Sequence, residues 1–300
     1  MTDHRKELED NGYTILRSFL PASFVEEVTG LCNGVIDGLG QEHWELFRSQ
    51  GSRPDIGDIP AFANIIAHDS IKSVFQRLNF DFDEAAYNSG AIFARPPGGP
   101  PLFWHQDWWG WNDPISYRSG IPQVNVMIYQ NTTSPKNGCL RVIPGSHKRG
   151  HPIHDIEVEY DVDLCKVVDP DHPIYGSWRD EVPVCVDVGD VVVSDTRLLH
   201  SAYPNQSRSR RVMLSLSYHP DFSALPEPVK ARIRSFSETD MGLTESEPIA
   251  EVVDRSVLGD RVPMALWPKK YREKIEGLIP VYKGAADPIE LNFKPDLHRH

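Results

Sequence analysis

Arg211-Val-Met-Leu-Ser-Leu-Ser-Tyr218 reads as a strand with one apolar and one mixed face. Val212, Leu214, Leu216 and Tyr218 fall on one side, and Arg211, Met213, Ser215 and Ser217 on the other. That is the period of two that pleated backbone imposes. The same pattern recurs upstream. Gly189-Asp190 reads as a hairpin-type turn between Val182–Val188 and Val191-Val-Val-Ser194. Val124–Tyr129 is a further strand, followed by a polar turn and Gly138-Cys-Leu-Arg-Val-Ile143, which Pro144-Gly-Ser-His147 ends. Ala91-Ile-Phe-Ala-Arg95 stops at Pro96-Pro-Gly-Gly-Pro-Pro101. Many short strands divided by Gly and Pro predict a sandwich or barrel. The expected fold is mainly β with flanking helices, arranged as a double-stranded β-helix (a jelly-roll, cupin-like barrel).

The ends of the chain read differently. In residues 1–80, Ser23-x-x-Glu26 has the form of a capping box, and Phe24, Val28, Leu31, Val35 and Leu39 recur at helical spacing. A second helical stretch runs through Ile65, Ile66, Val74, Phe75 and Leu78, with a turn-rich connection over Gly51–Pro60. The expected organisation is a single domain over residues 1–300. It comprises a helical N-terminal cover (1–84), a jelly-roll core (85–222) with an insertion or lid at 148–181, and a C-terminal extension (223–300).

Composition narrows the function. With 31 basic and 43 acidic residues the net charge is -12, which speaks against a general binder of nucleic acid or anionic membrane. The N-terminus is charged without an apolar leader segment, and no apolar run reaches transmembrane length. Cys32, Cys139, Cys165 and Cys185 form no C-x-x-C pair. They read as reduced thiols of a cytoplasmic protein. The expected partner is a small molecule, and the expected state a monomer or homodimer.

The chemistry gathers at Phe103-Trp-His-Gln-Asp-Trp-Trp109 and Leu198-Leu-His-Ser201. His-x-Asp in extended backbone puts His105 and Asp107 on one face, so both reach one metal ion. His200 would complete two histidines and a carboxylate, a set that leaves positions open and suits non-haem Fe(II). Arg211 offers a planar, permanently charged fork for a carboxylate. Two competitors stand beside this reading. His147, His151 and His154 with Asp155 have spacings a zinc helix would use, but Pro144, Gly145, Gly150 and Pro152 interrupt them, and they are expected as exposed loop histidines. Asp195 is an alternative carboxylate five residues before His200.

Taken with Asn11-Gly-Tyr-Thr-Ile-Leu-Arg-Ser-Phe-Leu20, Trp104-His-Gln-Asp107, Asn137-Gly-Cys-Leu-Arg-Val-Ile-Pro-Gly-Ser-His-Lys148, Val188-Gly-Asp190, Leu198-Leu-His200 and Arg211, the chain resembles the phytanoyl-CoA dioxygenase family of Fe(II)- and 2-oxoglutarate-dependent oxygenases. The resemblance implies that His105, Asp107 and His200 bind Fe(II) and that Arg211 pairs with the distal carboxylate of 2-oxoglutarate. Asn125 and Met127 would line the cosubstrate, with Arg95 as a further contact. The family often carries Ser or Thr two residues after the distal histidine. Here that position is Ala202, with Ser201 one place earlier. The implied reaction uses O2, releases succinate and CO2, and oxidises a small organic metabolite, natural-product biosynthesis being one setting the family serves. Because Asp107 stands where related halogenases have Ala or Gly, hydroxylation is expected rather than halogenation. Trp109, Trp111, Arg141 and Trp178 are the expected substrate contacts, the tryptophans as an apolar wall. A non-catalytic ligand-binding barrel and a zinc hydrolase using the same triad are the alternatives.

Overall fold

The structure is a computed structural model that describes residues 3–46, 51–57, 59–108, 114–156, 171–226 and 229–230. Among these, eight strands form two antiparallel sheets. Strands β1 (Tyr13–Leu16), β2 (Ala86–Arg95), β3 (Val124–Tyr129), β6 (Val191–Asp195) and β8 (Arg211–His219) make the larger sheet, in the order β1-β6-β3-β8-β2. Strands β4 (Leu140–Val142), β5 (Val182–Val184) and β7 (His200–Ala202) make the smaller, in the order β5-β4-β7. The expected jelly-roll barrel is the observed architecture.

Two apolar layers follow from the alternation. Val126, Ile128, Val191, Val193, Val212, Leu214, Leu216 and Tyr218 turn outward onto the helices. Met127, Tyr129, Val192 and Met213 turn inward, onto Leu140, Val142 and Val184 of the smaller sheet. This accounts for β3 being buried along its whole length. A strand covered on both faces shows a continuous apolar run broken only where the inward face needs a polar group, here Asn125.

The helical cover consists of α1 (His4–Asn11), α2 (Ala22–Asp37), α3 (Gln41–Leu46), α4 (Phe62–Ile66) and α5 (Asp69–Arg77). Helix α2 buries Phe24, Val25, Val28, Cys32 and Ile36. The anticipated capping box is not formed: Pro21, extended at φ -60° and ψ 141°, is the N-cap and gives no side-chain hydrogen bond. Ser23 then falls inside the first turn. The second helical stretch is two helices, because His68 is extended and its ring accepts from Ser70 N–H (3.0 Å) to start α5. Strand β1 interrupts the helical N-terminal region and pairs with β6.

Two turn expectations change. Residues 51–57 run antiparallel to β2, with Ser52 and Ala94 exchanging backbone hydrogen bonds of 2.8 and 2.9 Å. Gly51 (φ +75°) allows this approach, since a Cβ there would lie 2.1 Å from the Ala94 carbonyl oxygen. Gly189-Asp190 is a tight turn but joins no hairpin, because β5 and β6 belong to different sheets. The buried Asp190 carboxylate instead receives the N–H groups of Ser18 (2.7 Å) and Asp187 (2.9 Å) and Arg17 Nη1 (2.7 Å), fixing the corner where the chain changes sheets.

Within the 148–181 insertion, residues 148–156 and 171–181 are described. Short 3₁₀ turns at Pro152–Asp155 and Pro173–Tyr175 bring Ile153, Ile174 and Tyr175 against Phe103, Trp104, Ile143 and Leu199. His147, His151 and His154 are buried, contrary to the exposed loop histidines expected. Their rings engage backbone: His147 Nε2 meets Glu9 O, far away in the chain, at 2.9 Å, and Nδ1 of His151 and His154 accept from Ile153 and His151 N–H nearby. The 223–300 extension lies outside the described residues beyond Lys230. No helix among those described is long and apolar enough to cross a membrane.

Candidate active site

His105 and His200 face each other across a two-residue antiparallel bridge. Each donates its backbone N–H to the other's carbonyl at 3.0 Å, which brings their rings to 4.1 Å between centroids. Each ring then makes the same contact: Nδ1 lies 3.0 Å from the carbonyl oxygen two residues earlier, Phe103 for His105 and Leu198 for His200. A carbonyl only accepts, so each Nδ1 carries the proton and each Nε2 presents a lone pair. Both Nε2 atoms point to Asp107, at 3.5 Å from Oδ1 and Oδ2 respectively. The three side chains place one ligand atom each within 4.8 Å of one another, the only such group of metal-ligating residues among the described ones.

Asp107 follows the bridge rather than continuing a strand. Its N–H and that of Trp108 both donate to Thr196 O at 2.9 Å. Its carboxylate is held from the inward face of the larger sheet. Asn125 Nδ2 donates to Asp107 Oδ2 at 2.7 Å, and Ser217 Oγ donates to Asn125 Oδ1. The register makes this possible, since Asn125 and Ser217 are direct partners of β3 and β8.

The electrostatics match a site ready for a cation. Burial, with His200 beside it, lowers His105 to about 4, against the pull of Asp107, which keeps its imidazole neutral. Burial acts to raise Asp107, but His200, His105 and the Asn125 hydrogen bond outweigh it and hold the carboxyl below its usual range. Two imidazoles with tethered Nδ1 atoms and one carboxylate are the donor set a divalent transition metal takes. Asp195, the alternative carboxylate, is fully buried and paired with Arg197 through Oδ2 at 2.6 Å. It has no part in the cluster.

Arg211 opens β8 and lies opposite Arg95 of β2. Both are buried. Arg211 lies over the Tyr129 ring at 5.6 Å, and its Nε and Nη1 have no hydrogen-bond partner among the described residues. A buried guanidinium with unfilled donors is costly unless an anion completes it. Arg95 gives Nη1 to the Pro100 carbonyl. Burial lowers the pKa of both arginines, and for Arg95 the neighbouring Arg211 adds to it.

The other sequence-predicted residues are distributed unevenly. Met127 is on the inward face in the apolar layer between the sheets. Ser201 is turned to the protein: its hydroxyl donates to Leu102 O (2.6 Å) and accepts from Arg141 Nε (3.1 Å). Ala202 is opposite Leu140, so no hydroxyl occupies that register position. Arg141 is committed internally, with Nη1 3.2 Å from Glu181 Oε2, Nη2 bound to Tyr175 O at 2.8 Å, and its guanidinium 4.8 Å over Trp104. Trp178 packs on the cluster around Trp104, edge-on to His151 at 5.0 Å. Trp109 and Trp111 lie outside the described residues. Trp104 and Trp108 are fully buried, with indole N–H groups on Gly176 O and Ser116 Oγ, both 2.8 Å. Sequence reasoning missed Ser217, although the alternation of β8 already put it on the inward face. It also missed Arg53, an exposed arginine 5.9 Å over the Phe93 ring, whose charge is a smaller influence on both His105 and Asp107.

Comparison with known proteins agrees with this geometry. The sequence model of the phytanoyl-CoA dioxygenase (PhyH) family matches residues 8–213. A probable alpha-ketoglutarate-dependent hypophosphite dioxygenase of Stutzerimonas stutzeri is 25% identical over 241 residues, 72% of this chain and 77% of that protein. Phytanoyl-CoA dioxygenase 1 of Oryza sativa subsp. japonica is 31% identical over 157 residues, 52% of each chain. In fold, the chain is similar to HygX from Streptomyces hygroscopicus, solved with nickel and 2-oxoglutarate. That match has a TM-score of 0.54 and 17% identity, over 74% of this chain and 88% of the other.

Proposed function

The chain belongs to the phytanoyl-CoA dioxygenase family of iron- and 2-oxoglutarate-dependent oxygenases, and we propose that within it the protein hydroxylates a small organic metabolite. The observation that carries this reading is the pairing of two features inside one barrel. One is a His-Asp-His cluster with both Nδ1 atoms tethered. The other is a buried arginine with open donors.

His105, Asp107 and His200 would hold Fe(II), and Arg211 the distal carboxylate of 2-oxoglutarate. When bound, Fe(II) and 2-oxoglutarate would supply the oxidising power from O2, releasing succinate and CO2 as a substrate C–H bond is oxidised. The residues position and exclude. Asn125 fixes the Asp107 carboxylate, Tyr129 gives the Arg211 guanidinium an aromatic floor, and Arg95 adds a second buried charge near the cosubstrate's anionic end. Asp107 favours hydroxylation over halogenation, because a carboxylate fills the position a halide would need. Trp109 and Trp111 form the substrate wall in this reading. Arg141 and Trp178 act instead through the segment they anchor.

The test is to add Fe(II) and 2-oxoglutarate to metal-free protein without oxygen and record the visible spectrum. A weak charge-transfer band that requires both additions is expected. Iron bound with no band on adding 2-oxoglutarate would sink the reading in favour of a binding barrel or a zinc-type hydrolase.

A further inference from the structure

Away from the metal cluster, two reactive side chains stand opposed across a strand seam. Strands β4 and β5 pair with Leu140 opposite Val184, Arg141 opposite Pro183 and Val142 opposite Val182. Continued by one step, that register sets Cys139 directly opposite Cys185. The carbonyl of Cys139 accepts from Tyr203 N–H at 3.0 Å, on the β7 side. The carbonyl of Cys185 accepts from Arg17 Nη1 at 2.9 Å. Neither carbonyl faces the shared seam, so the two residues form a non-hydrogen-bonded pair. This is the closer of the two antiparallel spacings, with Cα atoms about 4.5 Å apart, and a disulfide needs about 4.4–6.8 Å. The two thiols are already within hydrogen-bonding reach of each other, and both are free. Cys139 is fully buried and Cys185 half-buried, so an oxidant from solvent meets Cys185 first.

We propose that Cys139 and Cys185 are an oxidation site that closes to a cross-strand disulfide when a peroxide or a small disulfide reaches Cys185. With hydrogen peroxide, the Cys185 thiolate attacks one oxygen, the O–O bond breaks and hydroxide leaves, giving a sulfenic acid. The Cys139 sulfur then attacks the Cys185 sulfur, and the S–S bond forms as water departs with the Cys139 proton. Two thiols lose two electrons and two protons, and the peroxide is reduced to two waters. Burial raises the pKa of Cys139, with Cys185 adding to the shift and the charge of Arg211 opposing it. The second step is therefore faster in alkaline than in neutral solution.

To test this, the full chain is treated with hydrogen peroxide, remaining thiols are blocked, and peptides are mapped without reductant. A link between the Cys139 and Cys185 peptides is expected, two hydrogens lighter than the separate pair and reversed by dithiothreitol. It forms equally in Cys165→Ser and is lost in Cys185→Ser and Cys139→Ser. Cys185 joined to Cys165, or carried to sulfinic acid while Cys139 stays free, overturns the proposal. Should Cys139→Ser fail to fold, the peptide map of the unsubstituted chain decides alone. The readout needs neither iron nor cosubstrate, so it is independent of the enzymatic reading.

Discussion

Asp107 owes its orientation to side chains from two strands of the larger sheet, through the relay Ser217–Asn125–Asp107. Removing a partner of this kind from a metal ligand typically costs 10- to 100-fold in metal affinity, by analogy with other sites. Asn125→Ala should therefore weaken Fe(II) binding by roughly that factor, measured by equilibrium dialysis, with the barrel still folded. Unchanged iron affinity would remove Asn125 from the site. Arg211→Ala should raise the 2-oxoglutarate concentration for half-maximal turnover by roughly ten- to a hundredfold, the ~1.5–3 kcal/mol of hydrogen bonds to a charged group. The same titration on Arg211→Lys should show a partial loss, because an ammonium does not reproduce the fork. The spacing of His105, Asp107 and His200 marked in the sequence the cluster that the fold assembles, whereas the carboxylate-binding role of Arg211 came with the family resemblance and is part of the proposal. The role of Asn125 was not legible there, because it depends on the pairing register of β3 with β8. Nor was the internal commitment of Arg141 and Ser201, which depends on where residues 175–181 fold back.

Arg141 joins three elements. From β4 it binds Ser201 of β7, the carbonyl of Tyr175 and the carboxylate of Glu181. Glu181 in turn accepts from the Tyr203 hydroxyl at 2.7 Å and Trp178 N–H at 3.0 Å. Cutting one partner from a buried pair leaves the other charge uncompensated, at about 3–5 kcal/mol. Arg141→Ala should lower unfolding stability in urea by that order and expose residues 172–181 to limited proteolysis. An unchanged digestion pattern would argue against Arg141 anchoring residues 172–181. At this scale the sequence predicted strand positions well, since alternation is local. It mispredicted the caps and turns, where Pro21 displaced Ser23 and Gly189-Asp190 served a change of sheet. Both outcomes were decided by contacts distant in the chain.

The whole barrel is poised against acid. His105 and His219 are both held near 4 by burial, below the ordinary histidine value of about 6.5. His219 donates Nδ1–H to Pro122 O (2.9 Å), and its buried Nε2 has no partner among the described residues. The unfolded chain binds protons at these sites between about pH 6.5 and 4 while the folded chain does not. Stability is therefore full above the upper limit and falls as the pH drops through this window. For His219 the loss is up to about 3 kcal/mol. Melting temperatures of metal-free protein across that range should show the decline, and His219→Gln should flatten part of it. An equal acid dependence in the variant would assign the effect elsewhere. A net charge of -12 surrounds an interior holding Arg95, Arg141, Arg197 and Arg211. Arg141 and Arg197 are paired with Glu181 and Asp195, whereas Arg95 and Arg211 have no carboxylate partner among the described residues, so an acidic chain carries a locally cationic stretch where β2 meets β8.

The reciprocal hydrogen bonds between His105 and His200 divide the metal ligands into two kinds. The imidazoles are riveted to each other by main chain, so changing either side chain leaves the architecture beneath it standing. The carboxylate, by contrast, is a plug-in part, fastened by one amide and seated beyond the bridge. A lineage exploring new chemistry on this barrel could exchange the residue at position 107, and its Asn125 keeper, without rebuilding the frame. A chelated, iron-stripped protein should keep its fold, because the bridge is main chain, with a melting temperature lowered by the lost metal-binding free energy.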